Sequence, residues 1–215
     1  MTPEEVVEFL KQHPEFFEQH ADFLATVFVP HPYGGRAISI GERQVLTLRE
    51  KNKLLEGKLR ELIEYGEQND AISEKLHRLT LSLISASDAA AVTAALYLHL
   101  REDFAVPNIV LRLWPQDVSS GLPEFVAVSA EARDFAASLQ HPYCSAHAMV
   151  DTAAWFGEQA PLLRSFVYVP LKREQTNGVL VLASTDQQRF YPEMGTLYLQ
   201  RLSELTSSAL ARYLA

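Results

Sequence analysis

The sequence predicts an α+β fold, an antiparallel sheet with helices gathered on it, and three observations carry the prediction. From Val45 to Leu83 the apolar residues recur in alternating steps of three and four, the spacing of one long helix. Beyond residue 104 the period falls to two in the runs NIVLRLW, FVAVS, SFVYVPL and VLVLAST. A last helical stretch, from about Pro192 to Leu214, comes after them.

The first element is a helix start. Thr2 supplies a hydroxyl cap, Pro3 sits at the first helical position, and Glu5 closes a capping box three residues on. Val6, Phe9 and Leu10 recur at helical spacing until His13-Pro14 breaks the run. Phe16, Phe17, His20, Phe23 and Leu24 then form a second apolar stripe that reaches Val27. Helices this short bury nothing alone, so residues 1–37 are expected to form a small helical head that packs on something. The stretch VPHPYGGRAISIGERQ (29–44) has paired glycines ahead of a helix, yet it lacks the lysine and hydroxyl residue of a phosphate-cradling loop and the G-x-G-x-x-G of a dinucleotide site. It reads as a joint, with Gly34 and Gly35 at the reversal and Ser39 with Glu42 capping the long helix. Arg36, Arg43 and His31 remain available for an anion or a partner.

Residues 38–86 are expected to be a coiled-coil stalk. Val45, Asn52 and Leu59 occupy the a position and Leu48, Leu55 and Leu62 the d position. After Leu62 the phase slips by three residues and resumes as Tyr65, Asn69, Ile72, Leu76, Leu79 and Leu83. A buried asparagine costs stability unless it meets its own copy, so Asn52 and Asn69 favour a parallel, in-register homodimer. Lys51 at g and Glu56 at the following e would attract across it. The alternative is a long amphipathic helix packed against its own domain.

Residues 87–215 are expected to form the globular part. Ser87-Asp88 caps a helix from Ala89 to Phe104, with strands at 108–114 and 125–129 and then a short helix from Glu131 to Leu139. Two further strands, 165–171 and 179–185, are joined by KREQTNG, whose Asn177-Gly178 pair is a hairpin-turn signal.

Composition limits the function. A formal charge of −8 and pI near 5.4 set up a repulsive field for a polyanion and argue against nucleic acid, although six basic residues face two acidic ones between Arg43 and Arg60. No apolar run approaches the ~20 residues of a membrane span, and MTPEEVVEFL does not read as a secretion signal, so a cytoplasmic protein is expected. One cysteine excludes an intrachain disulfide and multi-thiolate chemistry.

The run SFVYVPLKREQTNGVLVLASTDQQRFYPEMGTLYLQRLSELTSSALARYL resembles the C-terminal half of a GAF domain: a strand ending Val169-Pro170-Leu171, a turn, Gly178-Val179-Leu180, Phe190 and a closing helix. With PEFFEQHADFL, VPHPYGGRAISIGERQVLTLREK and Asn69, the chain is similar over nearly its whole length to the bacterial DUF484 family. The resemblance implies a GAF-like fold without an established activity, and weakly a partnership with a tyrosine recombinase, near which members are often encoded. The N-K…F-x-x-x-D-E pattern of cyclic-nucleotide GAF domains and the cysteines of the reductase members are missing.

A GAF-like sheet implies a cavity beneath a roof. The candidate lining is Leu111, Leu113, Phe125, Phe135, Tyr143, Cys144, His147, Trp155, Phe156 and Tyr168, apolar with a few polar tips, which suits a small flat or apolar ligand of unknown identity. Cys144 and His147 alone are two ligands short of a tetrahedral metal site; His141 is near enough in sequence to be a third, and only Asp151, if a turn brought it back, could be a fourth, so no metal site is assigned, and no cofactor is named. No G-x-S-x-G or H-E-x-x-H motif appears, and no catalytic residue is assigned. The expected dimer interface is Val45, Leu48, Asn52, Leu55, Leu59, Leu62, Asn69, Ile72 and Leu76. The expected function is a non-enzymatic signalling or adaptor protein in which a ligand would bias the stalk and so a protein partner at the head. The alternative is a constitutive scaffold with a filled pocket.

Overall fold

A computed structural model of the chain describes residues 2–29, 37–114, 122–172 and 176–213. They fall into two compact units, Met1–Gln68 and Asn69–Ala215.

In the first unit, α1 (Pro3–Gln12) starts with the expected box: Glu5 N–H donates to Thr2 Oγ1 at 3.3 Å and Thr2 N–H to Glu5 Oε2 at 2.8 Å. Pro14 ends α1, and the second stripe divides at His20 into α2 (Glu15–Gln19) and α3 (Ala21–Thr26). The phenylalanines meet edge to face, Phe16 to Phe17 at 5.6 Å and Phe16 to Phe23 at 6.2 Å between centroids. No residue of α1 or α2 is buried. The short strands β1 (Phe28–Val29) and β2 (Ile38–Ser39) pair antiparallel, Phe28 with Ser39 and Val29 with Ile38, so the chain does reverse at the joint. Gly34, Gly35, His31 and Arg36 lie outside the described residues. Ser39 and Glu42 then make a second capping box at the head of α4 (Ile40–Ser85).

The second unit begins in the later part of α4, which is not a free stalk: Leu76, Leu79 and Leu83 are buried in the unit's core. After a cap by Asp88, whose side chain accepts from Ala91 N–H at 2.7 Å, α5 (Ala89–Glu102) packs beside it. The sheet is antiparallel, ordered β3-β6-β5-β4, from β3 (Asn108–Leu113), β4 (Tyr143–Ser145), β5 (Ser165–Lys172) and β6 (Thr176–Ser184). Side chains alternate across it. Leu111, Leu113, Cys144, Val167, Val169, Leu180 and Leu182 face the core shared with α4, α5 and α7 (Leu197–Ala211). Phe166, Tyr168, Val179, Val181 and Ala183 face the other way, toward α6 (Ala130–Ser138) and a 3₁₀ stretch from Thr152 to Leu162. Helices therefore cover both faces, and β5 is buried from Ser165 to Leu171.

Three local expectations are corrected. Residues 125–129 are not a strand: a 3₁₀ turn covers Pro123–Phe125 and irregular chain succeeds it. One donor of β3, Leu111 N–H, is taken by the Tyr97 hydroxyl at 3.3 Å. Asn177-Gly178 is not the hairpin turn either but lies within β6, where Gly178 pairs with both Leu171 and Leu113. A Cβ on Gly178 would stand 2.7 Å from both the Arg112 carbonyl oxygen and Leu113 Cδ2, so this glycine serves close approach. The final helix starts at Leu197, five residues beyond Pro192.

Candidate functional site

The sheet face under α6 is filled at its centre. Alternation along β5 points Tyr168 into it, fully buried. Thr152 Oγ1 donates to Met149 O at 2.6 Å, so at 2.8 Å it accepts from the Tyr168 hydroxyl, which itself accepts from Met149 N–H at 2.7 Å. Burial pushes the Tyr168 pKa up, against the Thr152 and Met149 hydrogen bonds. The Phe135 ring stands edge-on to Tyr168 at 5.2 Å, and Phe156 on Phe166 at 6.2 Å.

The ten expected lining residues do not share one cavity. Phe135, Trp155, Phe156 and Tyr168 gather on this face. Leu111, Leu113 and Cys144 lie on the opposite one, with Phe125 packed against the same core. Tyr143 is exposed, and as the neighbour of Cys144 on β4 it points to the other side of the sheet. His147 is exposed, its N–H held by Ser145 Oγ at 3.2 Å.

Cys144 is buried and burial raises its thiol pKa, so it stays protonated and a poor nucleophile near neutrality. Among the described residues no three His, Cys, Asp or Glu side chains are grouped to hold a metal ion. Arg112 lies over the Trp155 ring at 5.6 Å and donates to Pro123 O at 3.3 Å. Burial first, then the neighbouring Glu124 carboxylate, push the Tyr97 hydroxyl up to about 12.

On α4 the heptad stripe divides in two. Val45, Leu48, Leu55, Leu59 and Leu62 are 47% to 66% exposed, and Asn52 is exposed with Nδ2 donating to Glu56 Oε1 at 3.3 Å. Asn69 is also exposed. Leu76 departs from the expected interface: at 6% exposure it is spent on the core of its own unit, with Ile72 packed against that core. Between α4 and α7 an open groove of about 360 Å³ is lined by Ser73, His77 and Thr80 on one side and Arg201, Glu204 and Ser208 on the other.

One constellation escapes the sequence. Ser82 Oγ on α4 is 2.8 Å from His99 Nε2 on α5, His99 Nδ1 is 2.5 Å from Asp103 Oδ2, and Asp103 Oδ1 is 2.8 Å from Arg78 Nη2 on α4. The His99 hydrogen bond holds the Asp103 carboxyl below its ordinary pKa against the opposing effect of burial, with the nearby Arg78 charge assisting. The sequence shows only the i,i+4 spacing of His99 and Asp103; their meeting with Ser82 depends on how α5 packs.

Comparison with known proteins adds relationship but no activity. A profile of the family described as "Protein of unknown function, DUF484" matches residues 1–215. An "Uncharacterized protein YigA" of Salmonella typhimurium is 24% identical over 220 residues, covering 97% of this chain and 91% of that protein. Proteins of the same description from Shigella flexneri and Escherichia coli are 30% identical over 118 residues, 55% of this chain and 49% of each relative. No described helix is long and apolar enough to cross a membrane.

Proposed function

The chain belongs to the DUF484 family, and from that premise we propose that it is a cytoplasmic, dimeric adaptor that presents a helical head to a protein partner and catalyses no turnover. The observation that carries this reading is the exposed heptad stripe Val45, Leu48, Leu55, Leu59 and Leu62. An apolar stripe left in water at this spacing calls for a second helix, and Asn52 at an a position selects a parallel, in-register copy of itself. Apolar burial supports the pairing at roughly 25 cal/mol per Å². At the head, exposed Val7, Phe9 and Phe23 supply an apolar surface for the partner.

The packing around Tyr168 favours a constitutive scaffold over a ligand sensor. A GAF-like sensor needs space between sheet and roof. Here a phenol with satisfied hydrogen bonds occupies the middle of it.

Two measurements test the proposal. Sedimentation velocity at micromolar concentration is expected to give a dimer that Leu55→Lys with Leu59→Lys converts to monomer. Asn52→Cys is expected to cross-link to its own copy on mild oxidation, since an in-register a position brings two Cβ atoms within disulfide reach. A wild-type monomer sinks the proposal, and a dimer in which the cysteines stay free sinks the parallel register.

A further inference from the structure

We propose that Ser82 is a nucleophilic acceptor site for a small activated acyl group, with His99 as its base, Asp103 as the group that orients the base, and Arg78 as the cation that holds Asp103.

The geometry assigns the roles. A carboxylate only accepts, so Asp103 fixes the His99 proton on Nδ1 and leaves the Nε2 lone pair toward Ser82 at 2.8 Å. Helix-interior hydroxyls ordinarily bond back to their own helix, as Thr80 does to Leu76 O and Ser85 to Leu81 O. The Ser82 hydroxyl instead meets the imidazole, the nucleophile-to-base contact that activates a serine, with the third group in place behind it. Arg78 stands one turn before Ser82 on α4, its guanidinium tied to Asp103 through Nη2 and half exposed. Ser82 is partly buried.

In the step, the Ser82 Oγ–H proton passes to His99 Nε2 as Oγ bonds to the carbonyl carbon of an aryl ester or thioester. The tetrahedral oxyanion collapses, the bond to the leaving oxygen or sulfur breaks, and His99 returns the proton to that leaving group. The product is an acyl-Ser82 ester that can no longer donate to Nε2. One acyl group per chain marks the junction of α4 and α5, which is compatible with an adaptor that has no turnover.

The test incubates the full chain with p-nitrophenyl acetate and, separately, a fluorophosphonate probe, then maps the adduct by intact mass and peptide sequencing. The label is expected on Ser82, and not on Ser85, whose hydroxyl lacks a base. General-base assistance predicts a fall of roughly 10²-fold or more in labelling rate for Asp103→Asn, measured beside the melting temperature. His99→Gln and Ser82→Ala are expected to abolish labelling at this site. Failure to label Ser82 in the wild-type chain overturns the proposal whatever the variants do. Labelling that is unchanged in a folded Asp103→Asn or His99→Gln variant overturns it equally and leaves the four groups as a hydrogen-bonded clamp.

Discussion

Replacing Tyr168 by Phe tests whether the space under α6 is core or pocket. The substitution keeps the ring and its 5.2 Å edge contact with Phe135 but removes a hydroxyl that accepts from Met149 N–H and donates to Thr152 Oγ1. Two hydrogen bonds contribute about 1 kcal/mol each, and the abandoned Met149 N–H adds a desolvation cost, so a loss of about 2–3 kcal/mol is expected. For a cooperative unit of this size each kcal/mol moves the midpoint by about 2–4 °C, which gives a fall of about 4–12 °C by calorimetry. In an open, hydrated pocket water would take over the partners of the missing hydroxyl. A loss below about 0.5 kcal/mol would therefore refute the filled-core reasoning and return the sensor reading to first place.

Three other expectations come from the same packing. Gly178→Ala should cost about 2 kcal/mol or more in urea unfolding, since the new methyl meets the Arg112 carbonyl at 2.7 Å, where backbone has no room to yield. Leu79→Ala, at a fully buried position of α4, should cost about 2–5 kcal/mol, whereas Leu59→Ala should change the stability of an isolated chain little and act only through dimerisation. In an absorbance titration Tyr97 should ionise near 12. Because its folded pKa lies above the unfolded value of about 10, its contribution to stability is present below pH ~10 and lost as pH rises toward 12.

Local chemistry decides which features are legible in the sequence. Both capping boxes, Thr2 with Glu5 and Ser39 with Glu42, need only four neighbouring residues and form as expected. Strands β3, β5 and β6 carry enough β-branched and apolar alternation to announce themselves. The misses are decided at long range. FVAVS alternates well, but a strand also needs a neighbour with free backbone groups, and one donor of β3, Leu111 N–H, goes to the Tyr97 hydroxyl. Asn177-Gly178 has turn chemistry, yet the Leu113 side chain and the Arg112 carbonyl across the ladder explain the glycine better. The expected pocket lining fails in part on parity, since Tyr143 and Cys144 are adjacent on one strand and cannot share a face. No periodicity could have joined Ser82 to His99, seventeen residues apart on different helices.

The heptad pattern of α4 shows how one signal can serve two ends. An apolar stripe states that a helix must be covered and leaves open what covers it. Beyond the phase slip at Leu62 the cover is internal: Leu76, Leu79 and Leu83 join Leu96, Leu100, Leu202 and Leu210 in one core, and a helix face already buried gains nothing from a partner. Before the slip the stripe stays in water, interrupted by an asparagine that a self-contained core would have no reason to accept. Coverage from within therefore explains Leu76, Leu79 and Leu83 and not the stripe before the slip. The uncovered half, Val45 to Leu62, is the part of the molecule on which the proposed dimer rests.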